Sequence, residues 1–194
     1  MKNTLFSLIT LIVFLISAPF SNAQKGTASL EEMIKLTQPG AEHELLAIFE
    51  GVWEQEIHIF FRSDTVSVTK GTGKITNQFV LGSRYIQSIG SSIAFGMHIS
   101  SITYIGFDKR FGKYSMFTMD ELGTYAVNSL GEYVDEEASF IFEGNALDPV
   151  TSEYLNFKMI YRIESEDRII YNLFFIMPDN TQFKYIEAIY KRIE

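Results

Sequence analysis

The stretch "FEGVWEQEIHIFFR", residues 49–62, contains the chain's one tryptophan, Trp53, two residues after Gly51. Before Gly51 the apolar residues Leu45, Leu46 and Phe49 recur at helical spacing, and Gly51 is a helix stop. After it the period becomes two. Trp53, Ile57, Ile59 and Phe61 take one face of a strand, and Glu54, Glu56 and His58 take the other. The single Trp therefore stands where helix gives way to the first strand.

From there to Glu194 no helical pattern is long enough to count. Strand-like runs follow at 52–62, 66–80, 83–90, 98–107, 112–120, 123–133, 137–145, 153–164, 168–178 and 182–193. Short breaks separate them, such as "LG", "DKRFG", "ELG", "SED" and "PDN", with a longer one at "SSIAFG". Short connections between successive strands define an antiparallel meander. About ten such strands in one open sheet would leave two edges free to self-pair, and closure removes them. The expected fold is all-β, a meander barrel of about ten strands, preceded by one or two short helices. In 153–164, Leu155, Phe157, Met159, Tyr161 and Ile163 share the inward face. The run 168–178 is apolar on both faces, so its outer face needs cover from the helices or from a second subunit.

The N-terminal stretch reads differently. Residues 1–23 combine Lys2, an apolar run from Leu5 and the small residues Ser21-Asn22-Ala23, the parts of a secretory signal peptide cut after Ala23. Residues 24–40 form a polar lead and a short helix, in which Ser29 and Glu32 have capping-box spacing and Pro39-Gly40 ends the helix. Residues 41–194 form the barrel domain. A secreted or periplasmic location is expected, with no membrane attachment after cleavage. The net charge of −8 and the lack of any basic run argue against nucleic acid and anionic lipid as partners. The chain has no cysteine, which excludes disulfides, thiol catalysis and thiolate metal sites.

Catalytic signatures are missing. "GSS" at 90–92 lacks the frame of a nucleophile elbow, and "KGTGK" at 70–74 is not a phosphate loop but a strand whose glycines permit a bend. His43, His58 and His98 have no mutual metal-ligand spacing, so no metal is expected; His43 is placed on the polar side of its helix and His58 towards solvent. Most acids lie in turns. The strand-borne Glu187 and Asp108 are the only carboxylates that suggest an enzyme, and neither has an acid/base partner. The balance is against catalysis.

A Gly-x-Trp at the first strand (Gly51-Val52-Trp53), a run of hairpins and a basic residue in the last strand (Arg192) resemble the lipocalin-like, or calycin, barrels. A closer similarity is to a bacterial family of unknown function with a lipocalin-like fold, related to nitrobindin. It rests on "HELLAIFEGVWE", "VLGSRYIQ", "YIGFDKRFGKY" with "DELGTY", "LDPVTSEYLNFK" and "FKYIEAIYKR", spanning roughly residues 41–193. The resemblance implies that Trp53 floors the barrel with Arg192 packed across its face. Nitrobindin relatives bind haem through a histidine late in the chain. The last histidine here is His98, so no haem or other cofactor is expected.

With 17 Phe and 10 Tyr, the interior is either an aromatic-lined cup or a filled core. The first reading makes the protein an exported binder of a small apolar or amphipathic molecule. Its candidate ligand-binding residues are Ile57, Ile59, Phe61, Tyr104, Phe117, Met119, Tyr125, Met159 and Phe174. The second makes it a filled structural module, with a homodimer covering the doubly apolar strand. Ten strands leave more room than the eight that side chains just fill, which favours the cup.

Overall fold

The computed structural model describes residues 29–61, 67–148 and 151–194. The expected leader and its cleavage point lie outside these residues. The chain divides into two units, residues 1–35 and 36–194. Helix α1, Leu30–Thr37, begins with the reciprocal cap that its sequence predicts. The Ser29 amide donates to Glu32 Oε2 at 2.7 Å, and the Glu32 amide to Ser29 Oγ at 3.2 Å. Among the described residues no helix is long and apolar enough to cross a membrane.

The second unit is a closed antiparallel barrel. Its strands are β1 (Gly51–Phe61), β2 (Ser67–Val80), β3 (Tyr85–Ala94), β4 (Met97–Asp108), β5 (Lys113–Asp120), β6 (Val127–Val134), β7 (Ser139–Leu147), β8 (Tyr154–Ser165), β9 (Arg168–Ile176) and β10 (Gln182–Arg192). Each pairs with the next, and β1 closes on β10 with Trp53 opposite Arg192. The ten expected strands are present. Two boundaries differ. "SSIAFG" is not a long loop: β3 runs to Ala94, which pairs with Met97 across a two-residue turn. Phe95 and Gly96 both have positive φ (57° and 73°), the mirror-image turn whose twist suits a tight hairpin. The segment 123–126 lies outside β6, which begins at Val127.

The pre-strand helix is also shorter than its pattern implies. A single α-turn, α2 (Ala41–Glu44), tightens into a 3-10 segment, Leu45–Phe49. This segment inserts Leu46 and Phe49 into one end of the barrel, where they join Trp53, Ile86, Ile105, Tyr114, Met116, Phe140 and Phe142 in the main core. A smaller cluster of Ile59, Ala94 and Ile99 lies towards the opposite end. The outer face of β9 has its own cover: Ile170 is only 8% exposed, between Arg162 and Ile189 on the adjoining strands.

His43 is a correction. It does not lie on a polar face but is buried, its Nδ1 accepting the Gly40 amide at 3.2 Å and its ring edge-on to Phe107 at 6.0 Å. Helical spacing could not show this, because α2 is seated against the barrel end, where Tyr114 Oη donates to the Glu42 carbonyl at 2.9 Å.

Candidate functional site

The floor of the barrel is built around Trp53, which is fully buried. Its Nε1 donates to the Phe49 carbonyl at 2.8 Å, and Asn77 Nδ2 donates to the same oxygen at 2.7 Å. The Arg192 guanidinium stacks over the indole, with Cζ 4.2 Å from the ring centroid. Its nitrogens donate to the carbonyls of Glu50, of Ile48 at 3.0 Å and of Glu166 at 2.8 Å. One planar fork thus ties the 3-10 segment, the β8–β9 turn and the first strand together. Gly51 is required beside it. Its φ is +111°, and a Cβ there would sit 2.5 Å from the Glu194 carbonyl oxygen.

Above this floor the barrel encloses a cavity of about 420 Å³. Its shape follows from an asymmetry of side-chain size. On β8, β9 and β10 the inward residues, Ala188 excepted, are large, among them Phe157, Met159, Tyr161, Tyr171, Leu173, Phe175 and Tyr190. On β3, β4 and β5 they include Ser88, Ser92, Ala94, Ser101, Thr103 and Thr118. On β2 the inward positions alternating with Ile75 and Asn77 are Gly71 and Gly73, where a Cβ would meet Ala94 and the Gln55 side chain. A wall of small residues facing a wall of rings leaves space that ten alternating large residues would have filled.

The aromatic wall carries polar handles. Tyr161, Tyr171 and Tyr190 form a chain of rings with centroids 4.7 and 6.4 Å apart. Burial raises all three phenols well above their ordinary range, so they stay protonated donors at physiological pH. Gln55 lies opposite Tyr190 on the adjoining β1 and also lines the cavity. Among the described residues, the one charged side chain in the lining is Asp120, at the mouth with Leu122 and Tyr125.

The structure divides the candidate ligand residues by face. Ile57, Ile59 and Met159 line the cavity, and Tyr125 stands at its mouth. Phe61 packs at the same end, its ring 5.7 Å from Phe95. Tyr104, Phe117, Met119 and Phe174 are corrected, for they point outward. Their inward neighbours are Thr103, Thr118 and Leu173. The usual assumption that the larger apolar residue faces in is reversed at 101–104 of β4 and 117–119 of β5. There hydroxyls face the cavity and Ile102, Tyr104, Phe117 and Met119 face out, while Ile99, Ile105, Tyr114 and Met116 of the same strands face in. The small wall was missed as a functional feature. Its signal is small residues at every second position in "GTG" (71–73) and "SIGSS" (88–92).

The remaining polar candidates lie elsewhere. Glu187 is on the outer face, 2.6 Å from Lys184 Nζ and 3.8 Å from His58 Nδ1, and the Lys184 hydrogen bond holds its carboxyl below the usual range. His58 does face outward, but it is shielded between Glu187 and Glu56, its side chain 18% exposed. Asp108 is held by Arg110 at 2.6 Å in the β4–β5 turn, which lowers its pKa. His98 bonds Ser91 Oγ at 2.8 Å on the surface. None of the three histidines lines the cavity, so its donor set does not suit a histidine-ligated haem. Among the described residues no cluster of acids and histidines could hold a metal ion.

Comparisons with known proteins agree with this architecture. A search of curated proteins finds no match. The crystal structure of Rv2717c from M. tuberculosis is similar in fold, with a TM-score of 0.60 at 15% identity, covering 81% of this chain and all of that one. The family described as "Protein of unknown function (DUF1579)" matches residues 38–192, which include the 3-10 plug, all ten strands and Arg192. The chain belongs to the DUF1579 family.

Proposed function

We propose that the protein is an exported binder of a small apolar or amphipathic molecule, held inside the barrel. The observation that carries this is the cavity of about 420 Å³ between the small-residue wall and the tyrosine-bearing wall. That volume lies within the span of small-molecule sites, and an apolar lining with a few convergent hydroxyls is their usual chemistry. Export is supported by the leader pattern of residues 1–23; N-terminal sequencing of the protein recovered outside the cytoplasm should begin at Gln24.

The test is titration with N-phenyl-1-naphthylamine, an uncharged dye that fluoresces in apolar surroundings. Saturable one-to-one binding is expected. The cavity-filling substitution Ser92→Leu should weaken it by about fivefold or more while leaving the far-ultraviolet circular dichroism intact. Dye binding that ignores this substitution would remove the cavity as the site.

A second reading, a homodimeric interaction module, is favoured by one feature. Ile89, Ile102 and Met119 lie in register across β3, β4 and β5 on the outer face, and each is more than a third exposed. Light scattering separates the readings: a dimer dispersed by Ile102→Glu supports the second, and a monomer removes it.

A further inference from the structure

The ladder between β6 and β7 runs from Val134 and Ser139 to Leu130 and Glu143 and stops there. Yet β6 extends back to Val127, paired with β5, and β7 extends on to Leu147, paired with β8. Residues 127–129 and 144–147 therefore lie beside one another without ladder pairs, so the hydrogen-bond ladder, though not the closed barrel, is split at this seam. A Cβ on Gly144 would still sit 2.8 Å from the Asn128 carbonyl oxygen.

A groove of about 860 Å³ overlies the split on the outer surface. Two of the aromatic residues that point outward, Tyr104 and Phe117, line it. Tyr125 and Ala146 line both this groove and the inner cavity, so at the seam these residues stand between the two spaces. Tyr125 is half exposed, in the segment between β5 and β6. Ser129 in the groove is only 5% exposed, and its Oγ has no hydrogen-bond partner.

Charge narrows the occupant. Among the described residues, the only charged side chains lining the two spaces are Asp120 in the cavity and Glu143 in the groove. Among the described residues no cation lines either space, and the nearby Lys158 is already engaged by Glu143 at 4.0 Å. A bound carboxylate would be desolvated without a partner of its own, which is costly. Amide and hydroxyl groups are present instead, from Asn128, Asn145 and Ser129.

We propose that one elongated, uncharged amphiphile occupies both spaces, its apolar end in the barrel and its hydroxylated head in the outer groove, and that it passes through the β6–β7 split under the control of Tyr125. This rests on the binding function proposed above and adds the ligand class and the route.

The experiment uses the full domain and two probes of equal chain length, 1-monodecanoylglycerol and decanoate, each displacing bound N-phenyl-1-naphthylamine. Monodecanoylglycerol should displace the dye at a concentration about tenfold lower than decanoate does. The chain has no native cysteine, so the pair Asn128→Cys and Asn145→Cys can be joined across the seam by a short bis-maleimide. Stopped-flow dye release should slow by about tenfold or more on linking, against the same variant before linking, and Tyr125→Ala should accelerate it. Decanoate that displaces as well as the glyceride overturns the ligand class. Release unchanged by linking overturns the route. In both cases a dye that still binds saturably leaves the binding function standing; no saturable dye binding removes both.

Discussion

Replacing Trp53 by Ala tests the closed end of the barrel most directly. The indole is fully buried, and a tryptophan buries on the order of 200 Å². At ~25 cal/mol per Å² the lost transfer energy is at most about 5 kcal/mol, and measured Trp→Ala costs cluster at about 3–5 kcal/mol. The lost Nε1 hydrogen bond adds little, because Asn77 still donates to the Phe49 carbonyl. The lost stacking with Arg192 adds about 1 kcal/mol, while Arg192 keeps its carbonyl partners. A destabilisation of about 4 kcal/mol is expected. Urea unfolding followed by far-ultraviolet circular dichroism measures it, since the substitution removes the only tryptophan fluorophore. A double-mutant cycle with Arg192→Met should return a coupling of about 1 kcal/mol. A loss below about 1 kcal/mol for Trp53→Ala, the range of surface substitutions, would refute the plug.

Two predictions concern pH. Burial, helped by nearby Lys109, depresses the His43 imidazole below its ordinary 6.5. The unfolded chain then binds the extra proton first, so stability is whole above about 6.5 and falls as pH drops towards the depressed folded value. His43→Gln should flatten the melting temperature between mildly alkaline and mildly acidic pH; an unchanged slope would assign that dependence to other groups. At the alkaline end, burial lifts Tyr114 to about 12 and raises Tyr161, Tyr171 and Tyr190 as well. Unfolded phenols titrate near 10, so the stability from keeping these four neutral is whole below about 10 and is lost as pH rises past it. Phenolate absorbance should show at least these four of the ten tyrosines, with Tyr185 also raised by burial, ionising together with the loss of circular dichroism. Ten independent titrations near the ordinary value would contradict their burial.

Much of the architecture was legible because its causes are local. Period-two alternation and turn residues locate strands without any knowledge of partners, and all ten appear where those signals lie. The Phe95-Gly96 hairpin was the exception: a Phe at positive φ is an unusual turn residue, and "SSIAFG" reads as loop. His43 was misjudged for another reason. A four-residue helix has no reliable polar face of its own, and the barrel end against which it packs decides its burial.

The candidate site was legible only in part. Alternation separates the two faces of a strand but does not say which face is inward. Where one face is apolar, as on β8, hydrophobic burial answers the question, and Met159 was read correctly as interior. In the middle of β4 and at the end of β5 the hydrophobic rule pointed the wrong way, because a cavity relieves Ser101, Thr103 and Thr118 of the need to fill space and the outward Tyr104 and Phe117 line a groove.

The sequence by itself determined an all-β meander and the lack of cysteine chemistry, while its closure through Trp53 and Arg192 was implied by the resemblance to lipocalin-like barrels. These depend on residue type and spacing, which act over a few neighbours or across one strand pair. Only the tertiary structure decided that the barrel is hollow, which residues face the space, and that the ladder between β6 and β7 stops short of the strand ends. Those features depend on how the strands are staggered around the closed sheet, a property of ten strands together that no single strand carries.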